Sequence, residues 1–251
     1  MQAEEQSGFK LFSNVVHILI AINVVVFAID VKYPGGLSDA LALHFPQNEH
    51  YQIWQYASHM FMHGNLSHLL FNMFALWMFG SALEKVFGKT RFLIFYFACG
   101  IGAAAIYTMI NTYQFNQVYS VLTDSGLINA DIISMIKQNS YPPTVLSEEQ
   151  AREMLMLYHV PMVGASGAIY GILVAFAIYF PNNKLMLIFL PYPIAAKYFV
   201  PVLIGIDLFS GVTGFSLFGG GVAHFAHVGG AIIGFLLLLI WRKEFTDRNP
   251  K

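Results

Sequence analysis

Residues 66–83, Leu66-Ser-His-Leu-Leu-Phe-Asn-Met-Phe-Ala-Leu-Trp-Met-Phe-Gly-Ser-Ala-Leu83, contain no Asp, Glu, Lys or Arg. At about 1.5 Å per residue such a run crosses most of a hydrocarbon core of about 30 Å as a helix. Yet it carries His68 and Asn72, spaced one turn apart on a single face. Polar groups are costly inside a bilayer, and those retained there mark a site.

The rest of the chain fits the same reading. Of its 251 residues 57% are hydrophobic and only 11% charged, against roughly a quarter charged in soluble domains. Six spans are predicted, near 15–29, 66–83, 92–110, 162–180, 198–212 and 222–241. The fold class expected is therefore all-α, a polytopic membrane protein in the lipid bilayer. Lys10, Lys85, Lys89, Arg91, Lys184, Lys197, Arg242, Lys243, Arg248 and Lys251 fall on the side of the termini, and only Lys32, Lys137 and Arg152 on the other. That bias orients both termini to the cytoplasm. The N-terminus carries Glu4 and Glu5 and no basic region, so the first apolar run is expected to stay as a helix. A net charge of −1 gives no reason to expect a nucleic-acid partner, and the single Cys99 is expected to pack.

Two outward loops are expected. Val31–Asn65 is rich in aromatic and His residues, and Asn111–Pro161 is longer and more polar. Within the second, Ser147-Glu-Glu-Gln150 reads as a capping box opening a short helix. The apolar stretch Leu185–Leu190 is too short to span and is expected at the interface.

Three spans carry polar groups: His68 and Asn72 on the second, Ser166 and Tyr170 on the fourth, and His227 on the sixth with His224 above it. Measured from Glu84, Pro181 and Trp241 as boundary markers, His68, Ser166 and His227 lie 16, 15 and 14 residues up their helices. That places all three about 21–24 Å above the cytoplasmic boundary, roughly 6–9 Å below the outer one. Gly164, Ala165, Gly167 and Gly171 accompany Ser166, and Ala226, Gly229, Gly230 and Gly234 accompany His227. Small residues at this spacing let two helices approach closely. Ser166 then comes within reach of His227, as a nucleophile and its general base require. The His68 ring, the Asn72 amide and the Ser166 backbone amide are candidate oxyanion donors. No acidic residue shares this depth on these helices, so a Ser-His dyad is expected. Asp207, at the outward end of the fifth span, is the nearest acidic alternative and is not favoured.

Blander readings compete. Gly-Ala-Ser-Gly alone is commoner as helix-packing glue, and a lone intramembrane His is as often structural as functional. His59 and His63 share metal-ligand spacing, but no carboxylate or Cys joins them, so no metal is expected and His63 is read as a loop brace.

His59-Met-Phe-Met-His63-Gly-Asn-Leu-Ser-His68-Leu-Leu-Phe-Asn72, Gly164-Ala-Ser166-Gly167-Ala-Ile-Tyr170-Gly171 and Ala226-His227-Val-Gly-Gly230 closely resemble the rhomboid intramembrane serine proteases. The resemblance runs from about Trp54 to Trp241, excluding 111–161. It implies a six-transmembrane-helix fold spanning the chain as a single membrane domain, with Ser166 as nucleophile and His227 as base. His68, Asn72 and the Ser166 amide would form the oxyanion site. Tyr170 would stack beside His227, walling the site with Gly164 and Gly230. Glu84, in Gly80-Ser-Ala-Leu-Glu-Lys85, would be structural. The fifth helix and the loop near Phe215–Phe218 would act as gate and cap. The implied substrates are single-span transmembrane proteins, and no cofactor is needed. A bacterial inner membrane with the site open to the outer face is the simplest compartment.

Two features depart from the family pattern. Gln55 follows Trp54 where many members have Arg, which removes a bidentate anchor for the first loop. The loop at 111–161 is enlarged. The rival readings are a catalytically inactive client-binding relative, which typically lacks the Ser or the His, and a proton- or metal-coupled transporter, for which intramembrane carboxylates are missing.

Overall fold

The computed structural model describes residues 14–187, 190–215 and 223–248. Its helices are α1 (Val15–Lys32), α2 (Gly36–Leu41), α3 (Gln55–Ser58), α4 (Leu66–Ala75), α5 (Ser81–Phe87), α6 (Lys89–Asp124), α7 (Asn129–Lys137), α8 (Glu148–His159), α9 (Ser166–Tyr179), α10 (Ala196–Thr213) and α11 (His224–Arg248). A π turn at Leu76–Gly80 joins α4 to α5, so Leu66–Phe87 reads as one span. Among the described residues, five helices are long and apolar enough to cross a membrane; α9 is apolar but shorter. The chain is thus an all-α, multi-pass membrane protein.

At the centre stands α9, in which every residue from Gly167 to Phe176 is buried. A helix apolar on all sides needs neighbours all round, and glycines let them in. A Cβ on Gly230 of α11 would overlap the Gly167 carbonyl, and one on Gly234 would lie 2.7 Å from Gly171 Cα. On the other flank Gly167 faces Ala103 of α6, and Gly171 faces Cys99, which is fully buried. Cys99 packs, as expected.

Four elements differ from their predicted form. The fourth span begins at Ser166 rather than at 162, because the chain before it enters extended. Met162 pairs with Leu43 through bonds of 2.8 and 2.9 Å, and Gly164 takes φ +117°. With 14 residues, α9 is only about 21 Å long, shorter than a hydrocarbon core of about 30 Å. The third span continues as helix to Asp124, 36 residues in all. It continues because Phe115, Val118 and Leu122 keep a helical stripe once the chain becomes polar. The expected loop at 111–161 is therefore mostly helical. There α7 and α8 fold back on α6 around a second core of Phe115, Leu122, Ile132, Ile136, Met154 and Phe45. The capping box is present: Gln150 N donates to Ser147 Oγ (3.2 Å) and Ser147 N to Gln150 Oε1 (3.0 Å). The described residues of the stretch Leu185–Leu190 fall in two antiparallel strands, β1 (Lys184–Leu187) and β2 (Leu190–Ala195). The proposed cap residues 216–218 lie outside the described residues.

Glu84 has a clear structural task. Its carboxylate accepts from the Val15 and Val16 amides at 2.9 and 3.0 Å. These first-turn N–H groups have no intrahelical partner, and the helix dipole favours an anion there. Gln55 replaces the expected arginine anchor with its own four bonds. Its Nε2 donates to the His50 and Asp39 carbonyls (2.8 and 3.2 Å), and its Oε1 accepts from the Gln52 and His44 amides (3.1 and 3.2 Å). Fully buried and fully satisfied, it knots the first outward loop.

Candidate active site

Ser166 opens α9, so its amide belongs to the first-turn N–H groups that have no acceptor within the helix. Its hydroxyl lies 2.8 Å from His227 Nε2 on α11. That approach is a direct result of the glycine contacts between the two helices, since a side chain at Gly230 would force them apart. One turn along α9, Tyr170 stacks its ring on His227, with centroids 4.3 Å apart and planes 10° from parallel.

The other face of His227 carries the residue that the sequence reading set aside. His227 Nδ1 lies 3.1 Å from Asp207 Oδ1 on α10. Asp207 is buried, and its carboxylate also meets His224 Nδ1 (2.6 Å, at Oδ1) and accepts from the Tyr170 hydroxyl at Oδ2. The hydrogen-bonded contacts thus run Ser166, His227, Asp207, one residue beyond the expected pair. Asp207 lies on α10, outside the three helices that carry the motifs. A signal existed, since Val200, Asp207 and Ser210 fall on one buried stripe of α10.

His68 and Asn72 reach the site from α4. A methyl on Gly164 would sit 2.7 Å from His68 Nε2 and 3.5 Å from Asn72 Nδ2, so both nitrogens converge on the turn just before Ser166. Asn72 is buried, and its Nδ2 meets no hydrogen-bond partner among the described residues. The Gly164 amide is already used, donating to the His59 carbonyl at 2.9 Å. Gly164 thus walls the site with its bare Cα, and Gly230 does so with its lack of a side chain.

Behind this wall lies a layer of neutral imidazoles. His59 is buried, with Nδ1 donating to the Gln55 carbonyl at 2.9 Å, and desolvation pushes its pKa down to about 4. His63, edge-on to His68 at 5.0 Å, is also pushed down to about 4, by burial first and by His68 second. His63 lies in the loop before α4 and packs its ring against that of His68.

Asp207, His224 and His227 bring three ligand atoms within 4.8 Å of one another, the one such group among the described residues. A metal on His227 Nδ1 would leave the proton on Nε2, the nitrogen that faces Ser166. The arrangement is better matched to a hydrogen-bonded chain. A hydroxyl against an imidazole, a carboxylate against that imidazole and donors beside the hydroxyl are the groups that acyl transfer requires.

Comparison with known proteins agrees with the geometry. The Rhomboid domain family model matches residues 50–244. Rhomboid protease AarA of Providencia stuartii is 26% identical, covering 95% of this chain and 79% of that protein. The mitochondrial presenilin-associated rhomboid-like protein of Bos taurus is 25% identical over 73% of this chain, which spans 38% of its length. Rhomboid protease GluP of Bacillus subtilis is 30% identical over 38% of this chain and 19% of its own.

Proposed function

The chain belongs to the rhomboid family, and from that premise we propose that it is an intramembrane serine endopeptidase acting on single-span membrane proteins. The 2.8 Å contact between Ser166 Oγ and His227 Nε2 carries this reading. Ser166 Oγ attacks the scissile carbonyl carbon while His227 Nε2 takes its proton. The oxyanion is held by the Ser166 N–H, by His68 with its proton on Nε2, and by Asn72 Nδ2, whose lack of another partner supports this role. Collapse expels the amine, which leaves with the proton from His227. Water then attacks the acyl-enzyme by the same route, releasing the acid and restoring Ser166. Tyr170, stacked on His227, keeps the ring in plane for both half-reactions. No cofactor enters these steps.

We read residues 1–251 as one membrane unit with cytoplasmic termini and the site facing the outer side. The charge bias of the loops supports that orientation. A bacterial inner membrane is the proposed compartment, supported by the extent of the likeness to the Providencia protein.

The test is cleavage of a model single-span substrate by purified protein. Ser166→Ala and His227→Ala are expected to lower cleavage by at least about 10⁴-fold while thermal midpoints stay within a few degrees. Undiminished cleavage by Ser166→Ala overturns the reading. An inactive client-binding relative would bind substrate and cleave it at no measurable rate even as wild type.

A further inference from the structure

We propose that Asp207 is a positioning residue of the hydrolytic site, holding His227 in the tautomer that accepts the Ser166 proton. The proposal rests on the protease reading above and extends it to a fourth helix.

Hydrogen-bond direction fixes the tautomer of His227. A carboxylate accepts only, so the Asp207 contact at 3.1 Å requires the His227 proton on Nδ1 and leaves the Nε2 lone pair toward Ser166. The carboxylate is fixed in turn. The Tyr170 hydroxyl donates to Oδ2 and His224 Nδ1 donates to Oδ1 at 2.6 Å. With His227 Nδ1, three donors from two helices hold one buried acceptor. Tyr170 therefore acts twice on the base, by stacking on its ring and by holding the group that sets its proton.

A role in packing alone explains less. A carboxylate in a membrane-spanning helix is costly, and a purely structural stripe on α10 would be served by an apolar residue such as Val200 one face-repeat earlier. When His227 becomes cationic in the transition state, the adjacent carboxylate stabilises that charge, whereas a neutral amide does not.

The experiment compares wild type with Asp207→Asn, Asp207→Glu and Ile94→Ala in proteoliposomes, recording kcat, KM and thermal midpoint on one fluorogenic single-span substrate. Ile94 is exposed on α6, away from the site and the fifth span, and its substitution is expected to leave activity unchanged. Asp207→Asn offers His227 an amide donor, favouring the proton on Nε2. It is expected to lower kcat by roughly 10²–10⁴-fold, with KM within about twofold. A kcat within about threefold of wild type overturns the proposal, as does a loss that appears in KM alone. If Asp207→Asn is unfolded, Asp207→Glu decides. A kcat clearly above zero but below wild type supports a positioning acid, and a kcat equal to wild type at an altered side-chain length overturns it. Ser166→Ala run alongside separates the two claims: if it retains activity, the protease reading itself has failed.

Discussion

At Gly164 a single hydrogen atom in place of a side chain gives the candidate site its room. Its φ of +117° lies where L side chains are strained, and a Cβ would press 2.7 Å from His68 Nε2. Gly164→Ala is expected to displace the His68 ring from the turn before Ser166 and lower kcat by roughly 10²-fold, the effect of losing one oxyanion donor. Ser166 labelling should slow in parallel, and wild-type rates from this variant would contradict the placement of His68. Residues of this kind were readable from the sequence: Ser166, His227, His68 and Asn72 are polar groups in apolar helices, and the bilayer makes each one conspicuous. Gln55 was not. Its four hydrogen bonds go to backbone groups from Asp39 to Gln52, which no side-chain pattern records. Asp207 enters the sequence reading only as the disfavoured acidic alternative. Its partner His227 is 20 residues away on another helix, and only the folded bundle brings them together.

At the scale of elements, α9 and α6 show how hydropathy misleads at helix ends. A span predicted from 162 takes Met162–Ala165 as helix, whereas Gly164 and the Leu43–Met162 bridge make it an extended entry. Starting the helix at Ser166 is what presents that residue's amide to the site. In α6 the fall in hydropathy after Ile110 marked the end of the apolar run and not the end of the helix. The first outward loop has its own expected behaviour. His59 and His63 are held neutral with pKa values of about 4, against an ordinary value of about 6.5. Between those limits the unfolded chain binds protons that the folded loop does not. Stability is therefore full above about pH 6.5 and falls as pH drops toward 4, by on the order of 3 kcal/mol per ring at most. Limited proteolysis within residues 42–65 should accelerate across that window. Cleavage independent of pH between 7 and 4.5 would mean that the rings are solvated in the native loop.

For the whole molecule, the outline of apolar spans was legible because a bilayer permits few architectures. The small helical unit of α7, α8 and the end of α6 was not, because its core of Phe115, Ile132, Ile136 and Met154 is assembled from segments too short and polar to stand out singly. The same bundle that buries α9 on every side puts four elements around one hydroxyl: α9 contributes Ser166, α11 His227, α10 Asp207 and α4 the pair His68 and Asn72. Whether this hydroxyl is a nucleophile is decided by mass-spectrometric mapping of the adduct formed when the membrane-embedded protein reacts with a fluorophosphonate. A single adduct on Ser166, absent from His227→Ala, is expected. An adduct elsewhere, or labelling of Ser166 that persists undiminished in His227→Ala, would contradict it.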